Sequence, residues 1–215
     1  MSSATITTSA RLINSTPQTE EQAMVRKVAV SSFLGNFIEW FDYASYSYFA
    51  TTIALVFFPT DNHTVAMLQT FGVFALSFIL RPIGALFWGS YGDKKGRKAA
   101  LAHSIMFMSG ASFLIGCLPS YSVIGVGAPI LLLLLRMVQG FSASGEYAGA
   151  ATFLGEYAPT SKRGIYCSLI PASTAIGLLA GSTLATLMTA NMNSSAMVGW
   201  GWRVPFLLAG PLGLI

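Results

Sequence analysis

Charged residues are what this sequence has least of: 12 Lys and Arg with 8 Asp and Glu, 9% of 215 residues. A soluble domain carries about 25%, so a soluble fold of this length could not cover its surface. Cysteine and histidine are few as well, with two of each. Cys117 and Cys167 make neither a metal framework nor a disulfide scaffold. They fall near opposite ends of their apolar runs, too far apart to bridge. His63 and His103 stand alone, one in a loop and one at a helix end. No nucleophile–base set, metal-ligand spacing or phosphate loop occurs, so no enzyme, metal or cofactor is expected. The net charge is +4, but the basic residues sit in short clusters between apolar runs, so no nucleic-acid partner is expected. Hydrophobic residues make up 53% of the chain, which excludes disorder for most of it. What is left is an all-α membrane protein whose first partner is the lipid bilayer.

A bilayer core of about 30 Å needs roughly 20 helical residues. The chain supplies such runs at 28–58, 64–91, 98–118, 125–157 and 164–189. A sixth starts near Trp200 and is still apolar at Ile215; its roughly 15 residues are too few to cross, so the sequence reads as cut inside its sixth helix. The runs are apolar on all faces, unlike the alternation of a membrane strand. Residues 1–25 read as a disordered cytoplasmic tail and 26–215 as a transmembrane half-domain. No signal peptide is expected. Asn62-His63-Thr64 and Asn193-Ser194-Ser195 fit a glycosylation pattern, although both loops are short.

Short loops set orientation. Arg11, Arg26 and Lys27 precede the first run, Lys94, Lys95, Arg97 and Lys98 follow the second, and Lys162 and Arg163 follow the fourth. The loops at 59–63, 119–124 and 190–200 hold no Lys or Arg. This bias predicts a cytoplasmic N-terminus.

Charge inside a membrane is costly and marks function by default. Glu39 lies 12 residues past Lys27, about 18 Å along a helix, and Asp42 follows one turn later on the same face. Arg81 lies 11 residues before Gly92, about 16 Å deep. Arg136 and Glu146 share the fourth run, with Glu146 about 20 Å from its cytoplasmic end. Three carboxylates thus face two guanidinium groups. If they share one cavity, one carboxylate lacks a partner and could take up and release a proton. The alternative is a set of fixed ion pairs holding helices together, and Arg81-Pro82 reads equally as a kinked, packed segment. Trp40, Tyr43, Tyr46 and Tyr147 are cavity candidates able to hold an apolar or quaternary-ammonium group through cation–π contact. Phe41 reads as lipid-facing or core. The small residues from Gly140 to Ala151 predict close helix packing.

The segment Gly89-Ser90-Tyr91-Gly92-Asp93-Lys94-Lys95-Gly96-Arg97-Lys98 permits a tight turn with a forked Arg–carboxylate pair. Its spacing, Gly-x3-Asp-Lys-x-Gly-Arg-Lys, resembles the signature loop of the major facilitator superfamily. Glu156-Tyr157-Ala158-Pro159 with Lys162-Arg163-Gly164, and Arg136-x2-Gln139-Gly140, resemble two further motifs. Gly35-Asn36-Phe37-Ile38-Glu39-Trp40-Phe41-Asp42, Arg81-Pro82-Ile83-Gly84, the run from Gln139 to Tyr147 and the run from Gly199 to Phe206 narrow the resemblance to the metabolite:proton symporters, which include proline/betaine, α-ketoglutarate, citrate and shikimate permeases. Ser144 stands where that group commonly has Gly.

The resemblance runs from about Lys27 to the C-terminus. It implies the N-terminal six-helix half of a twelve-helix fold with inverted repeats and a mid-membrane site between halves. It further implies a secondary transporter of the bacterial inner membrane that imports a small polar metabolite, an organic acid or an osmolyte, by proton symport. The proton is its coupling ion, and the C-terminal six-helix half is its missing partner. Glu39, Asp42, Arg136, Glu146 and Arg81 would form the charge network. Gly89, Asp93, Gly96, Arg97, Glu156 and Arg163 would form a cytoplasmic gate, and Gln139 would join the cavity aromatics. An uncoupled facilitator and a fragment without transport of its own remain as alternatives.

Overall fold

The computed structural model describes the backbone of residues 3–145, 151 and 154–212, and side chains from residue 23 onward within them. The described elements are helical. The first apolar run is α1 (Ser3–Tyr48) followed by α2 (Ala50–Phe57). The i→i−4 ladder passes through Phe49, with Phe49 N–H bonded to the Ser45 carbonyl at 3.0 Å and Ile53 N–H to the Phe49 carbonyl at 2.8 Å. The residues read as a disordered tail differ in the structure: α1 is already helical from Ser3. From Gln18 to Leu34 there is no Gly or Pro, and Gln, Glu, Ala, Met, Arg and Lys there all favour a helix.

The second run is two helices, α3 (His63–Ile79) and α4 (Arg81–Lys95). Pro82 supplies no N–H to the Phe78 carbonyl, so the chain turns at Leu80 and restarts with proline in the first turn, where that N–H has no intrahelical partner anyway. Gly96 alone separates α4 from α5 (Arg97–Cys117). Its φ of +96° is open to glycine and penalises an L side chain. After α6 (Tyr121–Ile124) comes α7 (Gly127–Ala143), and residues 154–157 are again helical. Next come α8 (Arg163–Asn191), α9 (Ser194–Gly199), a 3-10 turn (Gly201–Arg203) and α10 (Val204–Leu212). Asn62 and Asn193, the two glycosylation-pattern residues, are N-caps. Asn62 accepts from Thr64 N–H at 3.0 Å, and Asn193 accepts from Ala196 N–H at 2.8 Å.

Among the described residues, three helical stretches are long and apolar enough to cross a membrane: His63–Lys95 (α3 with α4), Arg97–Cys117 and Arg163–Asn191. Gly127–Ala143 is apolar and shorter. Their outward side chains are apolar: Leu68, Leu86, Ile165 and Leu179 are each at least 66% exposed. Such a surface suits hydrocarbon and not water.

Glycines set the helix contacts. A Cβ on Gly140 of α7 would lie 1.9 Å from the Ser77 carbonyl oxygen of α3, and one on Gly84 of α4 would lie 2.2 Å from the Phe141 carbonyl oxygen. These backbones touch because no side chain stands between them. Trp88 Nε1–H donates to the same Phe141 carbonyl at 3.1 Å. Gly177 and Gly181 of α8 meet the Phe37 and Phe41 carbonyls of α1 in the same way. Asn36 adds a polar tie, donating from Nδ2 to Ser173 Oγ and Thr174 Oγ1 at 2.8 Å each. The largest apolar core gathers Tyr46, Phe57, Ile115, Leu132, Trp202 and Phe206 at one end. Val25, Ala29, Leu154, Ala158 and Ile170 form a second at the other. Arg203, near the start of the sixth run, donates to the Gly116 carbonyl at 2.9 Å and so caps α5.

Candidate functional site

Helix α1 carries two carboxylate–tyrosine pairs, Glu39 with Tyr43 and Asp42 with Tyr46, each spaced i, i+4 and so stacked on one face. Each pair grips a different arginine. Arg81, the first residue of α4, donates to Glu39 Oε1 and to the Tyr43 hydroxyl. Its guanidinium also lies 4.6 Å from the Phe78 ring centre. Arg136 of α7 donates to Asp42 Oδ2 and lies 3.8 Å from the Tyr46 ring centre. The break at Leu80 places Arg81 at a helix start, where its side chain can reach across to α1.

The two pairs differ in access. Asp42 and Arg136 are 3% and 0% exposed, whereas the Arg81 side chain is 30% exposed. The inner pair therefore has no solvent around it, and the outer pair opens at one edge. The remaining Asp42 oxygen, Oδ1, accepts from Ser112 Oγ–H of α5 and from Gln139 Nε2–H of α7, both at 3.1 Å. Gln139 Nε2–H also donates to Ser112 Oγ. Tyr46 O–H donates to the Thr70 carbonyl at 2.9 Å, which locks the ring beneath Arg136. Arg136 Nε and Nη2 and Gln139 Oε1 are buried with no hydrogen-bond partner among the described residues.

This geometry changes the expected tally of three carboxylates around two arginines. Glu39 and Asp42 each have their own arginine, and the two ion pairs are separate. Glu146 and Tyr147 lie outside the described residues. Gln139, expected to line the cavity, instead belongs to the Asp42 cradle, because the i, i+3 step from Arg136 puts it on the same face. Tyr43 and Tyr46 are buried against Phe74 and hold arginines. Trp40 is half-buried and meets Tyr43 edge-on at 5.8 Å.

Of the residues expected to form a cytoplasmic gate, the structure pairs two. Asp93 and Arg97 pair at 3.4 Å across the Gly96 turn. Glu156 and Arg163 are exposed and join no ion pair among the described residues. Hydrated surface charges gain about 0–1 kcal/mol from pairing, so nothing local draws these two in. Gly89 faces open space. Sequence reasoning missed Ser112 and Thr70, since hydroxyls in apolar helices are common and nothing in their spacing singles them out.

Comparison with known proteins adds a second line of observation. A family model described as "Sugar (and other) transporter" matches residues 27–215. The glycine betaine/proline/ectoine/pipecolic acid transporter OusA of Dickeya dadantii (strain 3937) is 43% identical over 195 residues, covering 91% of this chain and 39% of that protein. The proline/betaine transporter of Escherichia coli (strain K12) is 42% identical with the same coverage. The chain thus spans about two-fifths of the length of these curated relatives. Among solved structures, the major facilitator superfamily proton:xylose symporter XylE bound to 6-bromo-6-deoxy-D-glucose superposes with a TM-score of 0.76 at 18% identity, covering 90% of this chain and 43% of that one. Partially occluded inward-open XylE from E. coli gives a TM-score of 0.74 at 20% identity, covering 88% of this chain and 46% of that one. At such identities the likeness shows the fold alone, and that fold is the major facilitator fold.

Proposed function

The chain belongs to the sugar (and other) transporter family, and from that premise we propose that it serves proton-coupled symport of a small zwitterionic osmolyte, such as proline or a betaine, across the bacterial cytoplasmic membrane. It is a transporter chain and not an enzyme. The observation that carries the coupling reading is the Asp42–Arg136 pair, buried on all sides. Asp42 lies 15 residues past Lys27, about 22 Å into the helix. Two bare charges at that depth are costly, and a pair whose members exchange partners during a cycle repays the cost in function. Protonating Asp42 would release Arg136, and deprotonating it would take Arg136 back.

The more open pair suits substrate. Arg81 can fork to a carboxylate, and the faces of Trp40 and Tyr43 beside it suit a quaternary or secondary ammonium. The printed names of the relatives, which are proline and betaine transporters, favour this zwitterion over a plain organic acid. The proton is the coupling ion, and a second six-helix half closes the site from the opposite side. The basic loops favour a cytoplasmic N-terminus.

The test is uptake of labelled proline and glycine betaine by cells expressing the protein at its full encoded length. Substrate added to de-energised cells should make the medium more alkaline. Asp42→Asn, at equal membrane abundance, should lose accumulation against a gradient while keeping substrate exchange. Accumulation that persists in Asp42→Asn and in the presence of a protonophore would sink the coupling reading. Equilibration without accumulation in the parent protein, with no alkalinisation of the medium, would favour the uncoupled facilitator, which the pairing of both Glu39 and Asp42 also fits.

A further inference from the structure

The cradle around Asp42 has an asymmetry. Oδ2 is held by the charged Arg136, while Oδ1 is held only by neutral groups, Ser112 and Gln139. Both neutral residues are at most 3% exposed. Buried amide oxygens are normally hydrogen-bonded, yet Gln139 Oε1 has no partner among the described residues. Its amide nitrogen carries the contacts, to Asp42 Oδ1 and to Ser112 Oγ.

On the coupling reading above, we propose that Ser112 and Gln139 are positioning residues forming a neutral adapter, which holds Asp42 in both protonation states without moving its heavy atoms. With Asp42 ionised, Ser112 O–H and Gln139 Nε2–H donate to Oδ1. A proton arriving from the aqueous phase bonds to Oδ1 and turns that acceptor into a donor. A half-turn of the Gln139 amide then brings Oε1 to the place of Nε2. Its two lone pairs accept the new Asp42 O–H and the Ser112 O–H. Arg136, whose Nε and Nη2 have no partner among the described residues, is left without its counter-charge and can turn to another anion. When the proton leaves, the O–H bond breaks, the amide turns back and Arg136 recovers Oδ2.

Arg136 is the charged group in contact with Asp42. Glu39, with Arg81, lies one turn back along α1, and the Tyr46 phenol lies beside Arg136. Phe74 from α3 and Phe206 from α10 also face Arg136 and do not titrate.

The test is infrared difference spectroscopy on the purified full-length protein, with isotope-labelled aspartate. The Asp42 carboxyl band is identified by its loss in Asp42→Asn. Ser112→Ala should move the band to higher wavenumber, because Gln139 Oε1, the acceptor of the acid O–H, loses the hydroxyl that orients it. It should also move the titration midpoint by about one pH unit, the scale of one hydrogen bond to a charged group. Ser112→Thr, which keeps the hydroxyl, should restore both values. Gln139→Leu should move the band further than Ser112→Ala. Ser109→Ala is the matched control, since that hydroxyl bonds the Ile105 carbonyl of its own helix. Parental band and midpoint in Ser112→Ala and Gln139→Leu would overturn the adapter. A shift in Ser109→Ala equal to that in Ser112→Ala would overturn it as well. Proton coupling of uptake is read separately, so its loss would defeat the transport reading while the spectra still decide the adapter.

Discussion

A guanidinium with no solvent contact, as at Arg136, is stable only while its counter-charge is present. Removing one partner of such a pair costs about 3–5 kcal/mol in a protein interior, because the survivor is left bare, whereas replacing both partners by apolar groups of similar size is often neutral. Arg136→Met and Asp42→Leu should therefore each lower the thermal midpoint of the detergent-extracted protein. The double variant should regain most of that loss. A double variant as unstable as the sum of the singles would show that the two side chains do not interact. Arg81 is partly solvated, so Arg81→Met should cost less stability than Arg136→Met while lowering apparent substrate affinity. Residue chemistry in the sequence marked these charges as functional, because five sit at depths where water is absent. It left their pairing open, since depth along a helix does not say which neighbour lies across from it.

Helix–helix contact is decided by glycine here. Gly140 and Gly72 look alike in the sequence, both within apolar helices, yet only Gly140 abuts a backbone carbonyl. Gly140→Ala should push α3 and α7 apart and destabilise the protein by about 1–3 kcal/mol, as overpacking does. Gly72→Ala meets nothing within 4 Å and should be neutral or stabilising by up to about 1 kcal/mol, from helix propensity alone. Thermal midpoints of the two variants in one detergent check this, and equal loss in both would refute the close contact. The turn at Leu80 was legible as a proline effect. That it delivers Arg81 to Glu39 was not, because a helix restart can point its first side chain in any direction.

For the whole chain, the loop bias makes a statement about sides. A cytoplasmic N-terminus puts Cys117, at the end of α5, on the outer side and Cys167, near the start of α8, on the inner side. Cys117 is exposed and Cys167 is half-buried. A membrane-impermeant maleimide should label intact cells at Cys117 and lose that signal in Cys117→Ser. Inside-out vesicles should give the reverse preference. Labelling of Cys167 alone in intact cells would invert the topology.

What the sequence determined by itself was the class of molecule, the membrane-crossing runs and the residues whose chemistry is out of place in lipid. Each follows from local quantities: hydropathy over about 20 residues, a rise of about 1.5 Å per residue, and the cost of a charge in hydrocarbon. Motif spacing added the family. Tertiary structure alone decided that Glu39 takes Arg81 while Asp42 takes Arg136. It recruited Ser112 from a helix with no other charge in the site, and it left Glu156 and Arg163 outside the Asp93–Arg97 pair. Those outcomes depend on how helices rotate and cross, and that is set by where glycine lets one backbone reach another, which no single helix encodes.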